Sequence, residues 1–357
     1  MKSLIISLLL IPSAFAQIPS VPCIPPPAPS PANAANQGEG RGRGAPRVPA
    51  QQSAAEAAEI AKLTDLPTWG QNLANGDYSN GPAYPTAPEL AKRAGVPEGK
   101  VIEFVMNSSE SKIYPGVNGA FQRHVCVYVP AGYAGAELPV IMSADAYGMR
   151  YNLPTILDNM INDQRLPAMA AVMIDNGGAQ RSLEYDTVSS KYVEFVEAEV
   201  LPRAEREANI KLSRNPDARM TLGGSSGGAV ALTMAWFRPD LYHRILTYSG
   251  TFVNLRNGPE APLGAYEYIE HFFPSSEKKP FRLWLQVSEN DNGSRTPSEG
   301  RRNWVIANSR LAKVLKDKGY AYQFVYSKGA GHTQRKVIDN SLPQALEYVW
   351  LDYKPQR

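Results

Sequence analysis

The segment Leu222-Gly223-Gly224-Ser225-Ser226-Gly227-Gly228-Ala229 sets two serines among four glycines. A serine hydroxyl is a poor nucleophile until a neighbouring base takes its proton. A G-x-S-x-G motif exposes such a hydroxyl when it falls between a strand and a helix. The residues two before and two after the serine must be small, because their side chains would collide across a sharp turn. The helix behind the serine then offers free backbone N–H groups to a developing oxyanion. Two registers fit, one centred on Ser225 and one on Ser226. Ser226 is favoured, because that register places the glycine pair directly behind the nucleophile and starts the helix there. The bland alternative is a glycine-rich turn with incidental serines.

Where this motif serves catalysis, the partners follow it in the order acid, then histidine. The chain has only four histidines. His124 precedes the serines and opens an early strand. His243 follows Pro239-Asp240-Leu241 and reads as a packing residue. His271 lies in an aromatic stretch with Tyr266, Tyr268, Phe272 and Phe273, as lid or core. His332, in Gly329-Ala330-Gly331-His332-Thr333, follows the last strand and is the expected base. The acid should end the strand before it, in Ser288-Glu289-Asn290-Asp291-Asn292. Asp291 is the choice, since a carboxylate there would fix the imidazole tautomer and offset its charge. Glu289 is the alternative. The oxyanion hole is expected from the N–H groups of Gly227 and Ala146, the latter in the loop Ser143-Ala144-Asp145-Ala146-Tyr147-Gly148.

Four further residues are candidates for substrate contact. Arg181 follows Asn176-Gly177-Gly178 and could grip an anionic or catecholic group; its structural alternative is a salt bridge to Glu184 or Asp186. Tyr147 and Trp304, with Tyr151, could line an aromatic-accepting cleft, although buried packing is the commoner fate of such rings. No His, Asp or Glu spacing points to a metal site, and nothing calls for a cofactor.

The elements that must position these residues alternate. Strands are expected at 101–106, 124–129, 138–142, 168–174, 220–222, 244–248, 281–287 and 322–326. Helices are expected at 185–208, 227–237, 304–318 and 342–350. Val125, Val127 and Val129 alternate as a half-buried strand does, and Val188, Tyr192, Phe195, Val196 and Val200 keep helical spacing. Alternating strands and helices imply an α/β fold, a mostly parallel central sheet with helices on both faces. Reactive groups in such sheets gather beyond the carboxyl ends of the strands.

The 357 residues are 43% hydrophobic and 20% charged, which is globular. A net charge of +3 is too small to argue for nucleic acid as a partner. Residues 1–16 read as a signal peptide: Met1-Lys2-Ser3, an apolar run from Leu4 to Ile11, then Ala14-Phe15-Ala16 with cleavage after Ala16. A short membrane anchor is the alternative. No later stretch is apolar enough to span a bilayer. The mature chain is therefore expected to be secreted or periplasmic, where Cys23 and Cys126 could pair. Residues 17–55, rich in Pro, Ala and Gly, form a linker that cannot bury enough apolar surface to fold. Residues 56–100 wrap the main domain, and 101–357 make the catalytic domain.

Gly224-Ser225-Ser226-Gly227-Gly228, Ala235-Trp236-Phe237-Arg238-Pro239-Asp240-Leu241, Tyr248-Ser249-Gly250-Thr251-Phe252, Glu289-Asn290-Asp291 and Gly329-Ala330-Gly331-His332 together resemble the enterochelin-esterase-like branch of the putative esterase family. That family also holds feruloyl and acetylxylan esterases, S-formylglutathione hydrolase and mycolyltransferases. The resemblance runs from about residue 90 to 350. It implies an α/β-hydrolase fold, a triad at Ser226, Asp291 and His332, and no cofactor. Residues 17–89 do not look like the separate N-terminal domain of cytoplasmic enterochelin esterases, which fits an exported member better. The expected function is a serine esterase acting on small-molecule or polysaccharide-linked esters, feruloyl or acetyl esters first and catecholate siderophore esters second. An acyltransferase on the same scaffold and a non-catalytic binding module are the remaining alternatives.

Overall fold

The structure is a computed structural model and describes residues 52–70, 73–117, 119–297, 299 and 301–354. The expected signal peptide and nearly all of the expected linker lie outside the described residues. The strands are β1 (Gly76–Asn80), β2 (Lys100–Asn107), β3 (Gln122–Val129), β4 (Glu137–Leu138), β5 (Val140–Ser143), β6 (Ala170–Ile174), β7 (Lys211–Leu212), β8 (Arg219–Gly224), β9 (Arg244–Tyr248), β10 (Arg282–Asn290) and β11 (Ala321–Gly331). The helices are α1 (Ala54–Thr64), α2 (Tyr147–Arg150), α3 (Leu153–Asn162), α4 (Arg181–Tyr185), α5 (Lys191–Phe195), α6 (Leu201–Ala208), α7 (Ser226–Phe237), α8 (Phe273–Ser275), α9 (Trp304–Asp317) and α10 (Arg335–Val349).

Nine strands form one sheet in the order β1-β11-β10-β9-β8-β5-β6-β3-β2. Pairing is parallel except where β3 meets β2 and β6. Strand residues alternate between two faces. Val125, Val127 and Val129 enter one core with Val140, Met142 and Val172, while Cys126, Tyr128, Ile141 and Met173 enter the other. Helices α5, α6, α7 and α9 cover the first face, and α3 and α10 cover the second. Helix α7 is buried from Ser226 to Ala235. A helix enclosed on every side needs no polar stripe, which is why its sequence is apolar all round.

Three of the departures from expectation involve a proline. The run at 138–142 divides at Pro139 into β4, which pairs with β7, and β5 in the main sheet; proline cannot donate to a ladder. The helical pattern at 185–208 is not one helix. α4 ends at Tyr185, and α5 widens into a π-helical turn at Val196–Val200 before α6. Pro202 near the start of α6 has no N–H for the Ala198 carbonyl, and a wider turn accommodates it. The last helix begins at Arg335 rather than Leu342 and carries Pro343 inside it. The Asp339 carbonyl that Pro343 leaves without its helical partner accepts instead from the Ala87 N–H, at 3.0 Å. The segment before residue 100 thus completes a helix of the main domain. It also extends the sheet, since β1 pairs in parallel with β11.

Candidate active site

Five neighbouring strands end at one rim, and each hands the first residue after it to the site. Ser225 follows β8, Ser249 follows β9, Asp291 follows β10, His332 follows β11 and Ala144 follows β5. The register sets their levels. Gly224 pairs with Tyr248, and Tyr248 with Gln286. Beyond a shift between Ser288 and Asn290, Asn290 pairs with Gly331. That last pair places the residues that follow, Asp291 and His332, side by side.

The structure corrects the serine register. Ser225, not Ser226, stands on the turn, with φ 58° and ψ −128°. This is a conformation that a residue with a side chain adopts only when its surroundings over-determine it, at about 1–3 kcal/mol. Those surroundings are explicit. The Ser225 N–H donates to the Tyr248 carbonyl at 2.9 Å, and the Ser225 carbonyl accepts from Gly228, Ala229 and Thr251. A Cβ on Gly223 would lie 2.2 Å from the Gly227 carbonyl oxygen. Gly223 and Gly227 are the residues two before and two after Ser225, so their contact selects this register. Ser226 opens α7 with its side chain buried, beside the Asp186 carboxyl.

The Ser225 hydroxyl oxygen lies 2.9 Å from His332 Nε2, and His332 Nδ1 lies 2.5 Å from Asp291 Oδ1. Each of the four histidines has Nδ1 against a carboxylate: His124 on Glu103, His243 on Asp217, His271 on Glu267 and His332 on Asp291. A carboxylate partner is therefore not diagnostic here. His332 is set apart by the hydroxyl on its other nitrogen, and its ring remains 22% exposed, reachable from solvent. Asp291 is buried and fully engaged. Oδ1 also accepts from the Asn292 N–H, and Oδ2 from the Ser288 N–H and the Ser249 hydroxyl. Glu289 turns away and accepts from the Gly329 N–H at 2.6 Å.

Ser249 has no role in the sequence reading, yet it joins two parts of the site. Its hydroxyl donates to Asp291 Oδ2 at 2.6 Å and accepts from the Thr333 N–H at 3.2 Å. Thr251 lies 3.5 Å from the Ser225 hydroxyl and accepts from Trp304 Nε1 at 3.3 Å. The Trp304 ring meets the His332 ring edge to face, with centroids 6.2 Å apart. The Tyr147 side chain lies outside the described residues. Tyr151 packs against the second core, under the Arg335 guanidinium.

The loop after β5 reaches the same rim. A Cβ on Gly227 would sit 3.0 Å from Asp145 Oδ2, so this loop touches the first turn of α7. Asp145 and Ala146 both take left-handed backbone, with φ of 59° and 48°. Arg181 pairs with neither Glu184 nor Asp186. Its Nε and Nη2 donate to the two oxygens of Asp145, at 2.7 and 2.6 Å. Burial works against the Arg181 charge, but the bonds and charge of Asp145 more than offset it and its pKa is raised. Glu184 is instead buried against Arg123. Burial pushes the Asp186 carboxyl above its ordinary value, opposed by hydrogen bonds from Ser226 and Ser182. Among the described residues, no group of three or more His, Cys, Asp or Glu is arranged to hold a metal ion.

A mostly parallel sheet covered on both faces, with a serine on a strained strand-to-helix turn at its carboxyl rim, is an α/β-hydrolase architecture. The chain belongs to the family described as "Putative esterase", matched over residues 121–347. It is 20% identical over 249 residues to the uncharacterized protein YbbA of Bacillus subtilis, covering 65% of this chain and 94% of that one. Among solved structures it is similar to the enterobactin esterase of Shigella flexneri in the presence of enterobactin, with TM-score 0.54, 18% identity, and 75% of this chain and 62% of that one covered. It is also similar to the ferulic acid esterase AmCE1/Fae1A of the fungus Anaeromyces mucronatus, with TM-score 0.52, 16% identity, and 74% and 96% covered. The chain spans about three fifths of the length of the enterobactin esterase structures it matches.

Proposed function

We propose that the protein is a serine hydrolase of carboxylic esters, with Ser225 as nucleophile, His332 as base and Asp291 as the carboxylate that orients it. The observation that carries this is the continuous chain from Asp291 through His332 to Ser225, at 2.5 and 2.9 Å. With the Nδ1 proton of His332 donated to Asp291, Nε2 is free to accept the Ser225 proton. Ser225 Oγ attacks the ester carbonyl carbon as that proton moves. The oxyanion is held by the N–H of Ser226, the residue after the nucleophile, rather than that of Gly227, and by the N–H of Ala146. His332 passes the proton to the departing alcohol, leaving an acyl-enzyme. Water, deprotonated by His332, releases the acid and restores Ser225.

The ester is inferred to carry an aromatic acid. Support comes from Trp304, whose indole stands against His332, and from the two kinds of esterase the fold is similar to. Feruloyl esters of polysaccharides come first and catecholate siderophore esters second, and acetyl esters serve as the non-aromatic comparison. A panel of acetyl, feruloyl, aryl and trilactone esters, run with an added alcohol acceptor, decides among these and against acyl transfer. Ser225→Ala should lose at least about 10³-fold in turnover while folded, and Ser226→Ala should retain most of it. The reverse pattern sinks the assignment.

Export is part of the same proposal, with residues 1–16 removed and the enzyme secreted or periplasmic. Cys126 is disulfide-bonded, a state that oxidising compartments sustain; Cys23 lies outside the described residues. Mass spectrometry of the mature chain should find Gln17 at its N-terminus. A cell-associated chain that still begins at Met1 overturns this part.

A further inference from the structure

We propose that Arg181 is a positioning residue for the oxyanion loop rather than a receptor for an anionic substrate; this rests on the serine-esterase reading above. Two donors of Arg181, Nε and Nη2, are committed to Asp145, one to each carboxylate oxygen. Asn176 Nδ2 adds a third bond, to Oδ1 at 2.9 Å. From the other side, the Asp145 N–H donates to the Tyr185 hydroxyl at 3.2 Å. The Tyr185 ring is buried beneath the Arg181 guanidinium, 5.3 Å from its carbon, and meets Tyr192 edge to face. Asp145 is thus gripped at its carboxylate and its backbone by residues of one segment, 176–185.

The grip has a local purpose. Asp145 and Ala146 are consecutive non-glycine residues in left-handed backbone, which chains avoid without outside constraint. Ala146 is the residue whose N–H the reaction needs. Relaxing Asp145 toward ordinary backbone would rotate the peptide that carries that N–H. Because Asp145 Oδ2 also faces the first turn of α7, the same carboxylate sets the spacing between the loop and the nucleophile turn. A substrate carboxylate would have to displace Asp145, a buried partner already bound through two parallel N–H···O bonds.

The test uses the full-length enzyme and three variants: Arg181→Ala, Arg181→Lys and the milder Asn176→Ala. The readouts are kcat and KM on a neutral aryl ester and on one carrying a carboxylate. A third readout is affinity for phenylboronic acid, whose adduct with serine is a tetrahedral anion. Arg181→Ala should lower kcat on both esters alike, by about 10–10²-fold, with KM within about 3-fold. Boronate affinity should weaken in step, Arg181→Lys should recover part of the loss, and Asn176→Ala should fall between. If Arg181→Ala proves unstable, the same kcat-only loss in folded Asn176→Ala supports the assignment, and wild-type kcat there overturns it. A rise in KM confined to the anionic ester, with kcat intact, makes Arg181 a substrate receptor and overturns it. An active Ser225→Ala overturns the nucleophile and this assignment with it. An inactive Ser225→Ala beside a fully active Arg181→Ala overturns the positioning role alone.

Discussion

Ser249 does its work through a single oxygen. With φ 47° at the end of β9, its hydroxyl swings toward Asp291 instead of into the sheet face. It supplies one of the two hydrogen bonds to Asp291 Oδ2 and holds the backbone after His332. Ser249→Ala leaves a fully buried carboxylate oxygen one donor short, a cost of about 1–3 kcal/mol. Its expected signature is a lowered Tm together with a fall in kcat, with KM little changed, measured on one preparation by calorimetry and steady-state kinetics. Asp186 gives the opposite sign. Its folded pKa is raised, so above the ordinary carboxylate range the ionised group opposes folding, and this penalty vanishes in acid. Asp186→Asn should therefore gain Tm over wild type as pH rises from about 4 to 7, and gain nothing near pH 3. A difference that shrinks with rising pH contradicts that sign. Residues such as these are the least legible in sequence. Asp291 and His332 have position and chain order to mark them. Ser249 has no such mark, because its role depends on where a left-handed turn aims a hydroxyl. Arg181 is visible as a loop cation, but its partner Asp145 lies 36 residues away on another strand end.

At the scale of elements, the glycines around the serines decide the geometry. The four-glycine text permits two registers, and only the close approach of Gly223 to Gly227 chooses between them. Which pair approaches depends on the bonds that tie Ser225 to Tyr248 and Thr251, and these tertiary contacts cannot be read from spacing. Gly223→Ala would press a methyl group into the Gly227 carbonyl, and the turn must open. Turnover should fall at least about 10²-fold, with fluorophosphonate labelling of Ser225 slowed in step. Gly258→Ala, at a site with nothing within 4 Å of the new carbon, is the control and should behave as wild type. The strand pattern itself is readable, and β9 spans the residues its apolar run predicts. β10 and β11 run further than predicted, to Asn290 and Gly331, because Ser288 and Ser327 pair with each other although neither is apolar. These polar ends carry Asp291 and His332 up to the rim. Periodicity of hydrophobic residues stops short of them.

The whole molecule depends on chain that lies far from the rim in sequence and outside the family match. β1 covers the outer edge of β11, the strand that delivers His332. Behind it Trp69 is buried, packs against Trp284 at 5.7 Å and donates from its indole to Gln323 at 3.0 Å. Asp77 accepts from the Tyr322 hydroxyl, and Asn75 from that of Tyr348. Ala87 fills the carbonyl vacancy that Pro343 creates in α10, so the same segment closes both the sheet and a helix. A sequence reading can see aromatic and turn-rich text there, but not which edge it covers, since β1 and β11 are some 240 residues apart. Trp69→Ala should cost about 3–5 kcal/mol, a fall in Tm of roughly 5–15 °C. Trp69 contacts Trp284, Gln323 and Ser79, away from Ser225, His332 and Asp291, so kcat at a temperature where the variant is folded should stay within about 3-fold of wild type. Above the new Tm, activity should disappear together with tryptophan fluorescence of the native state. Wild-type thermal stability in this variant would mean that β1 rests on the sheet without supporting it. A loss of kcat at full folding would mean instead that β11, freed at its edge, no longer holds His332 at the level of Ser225.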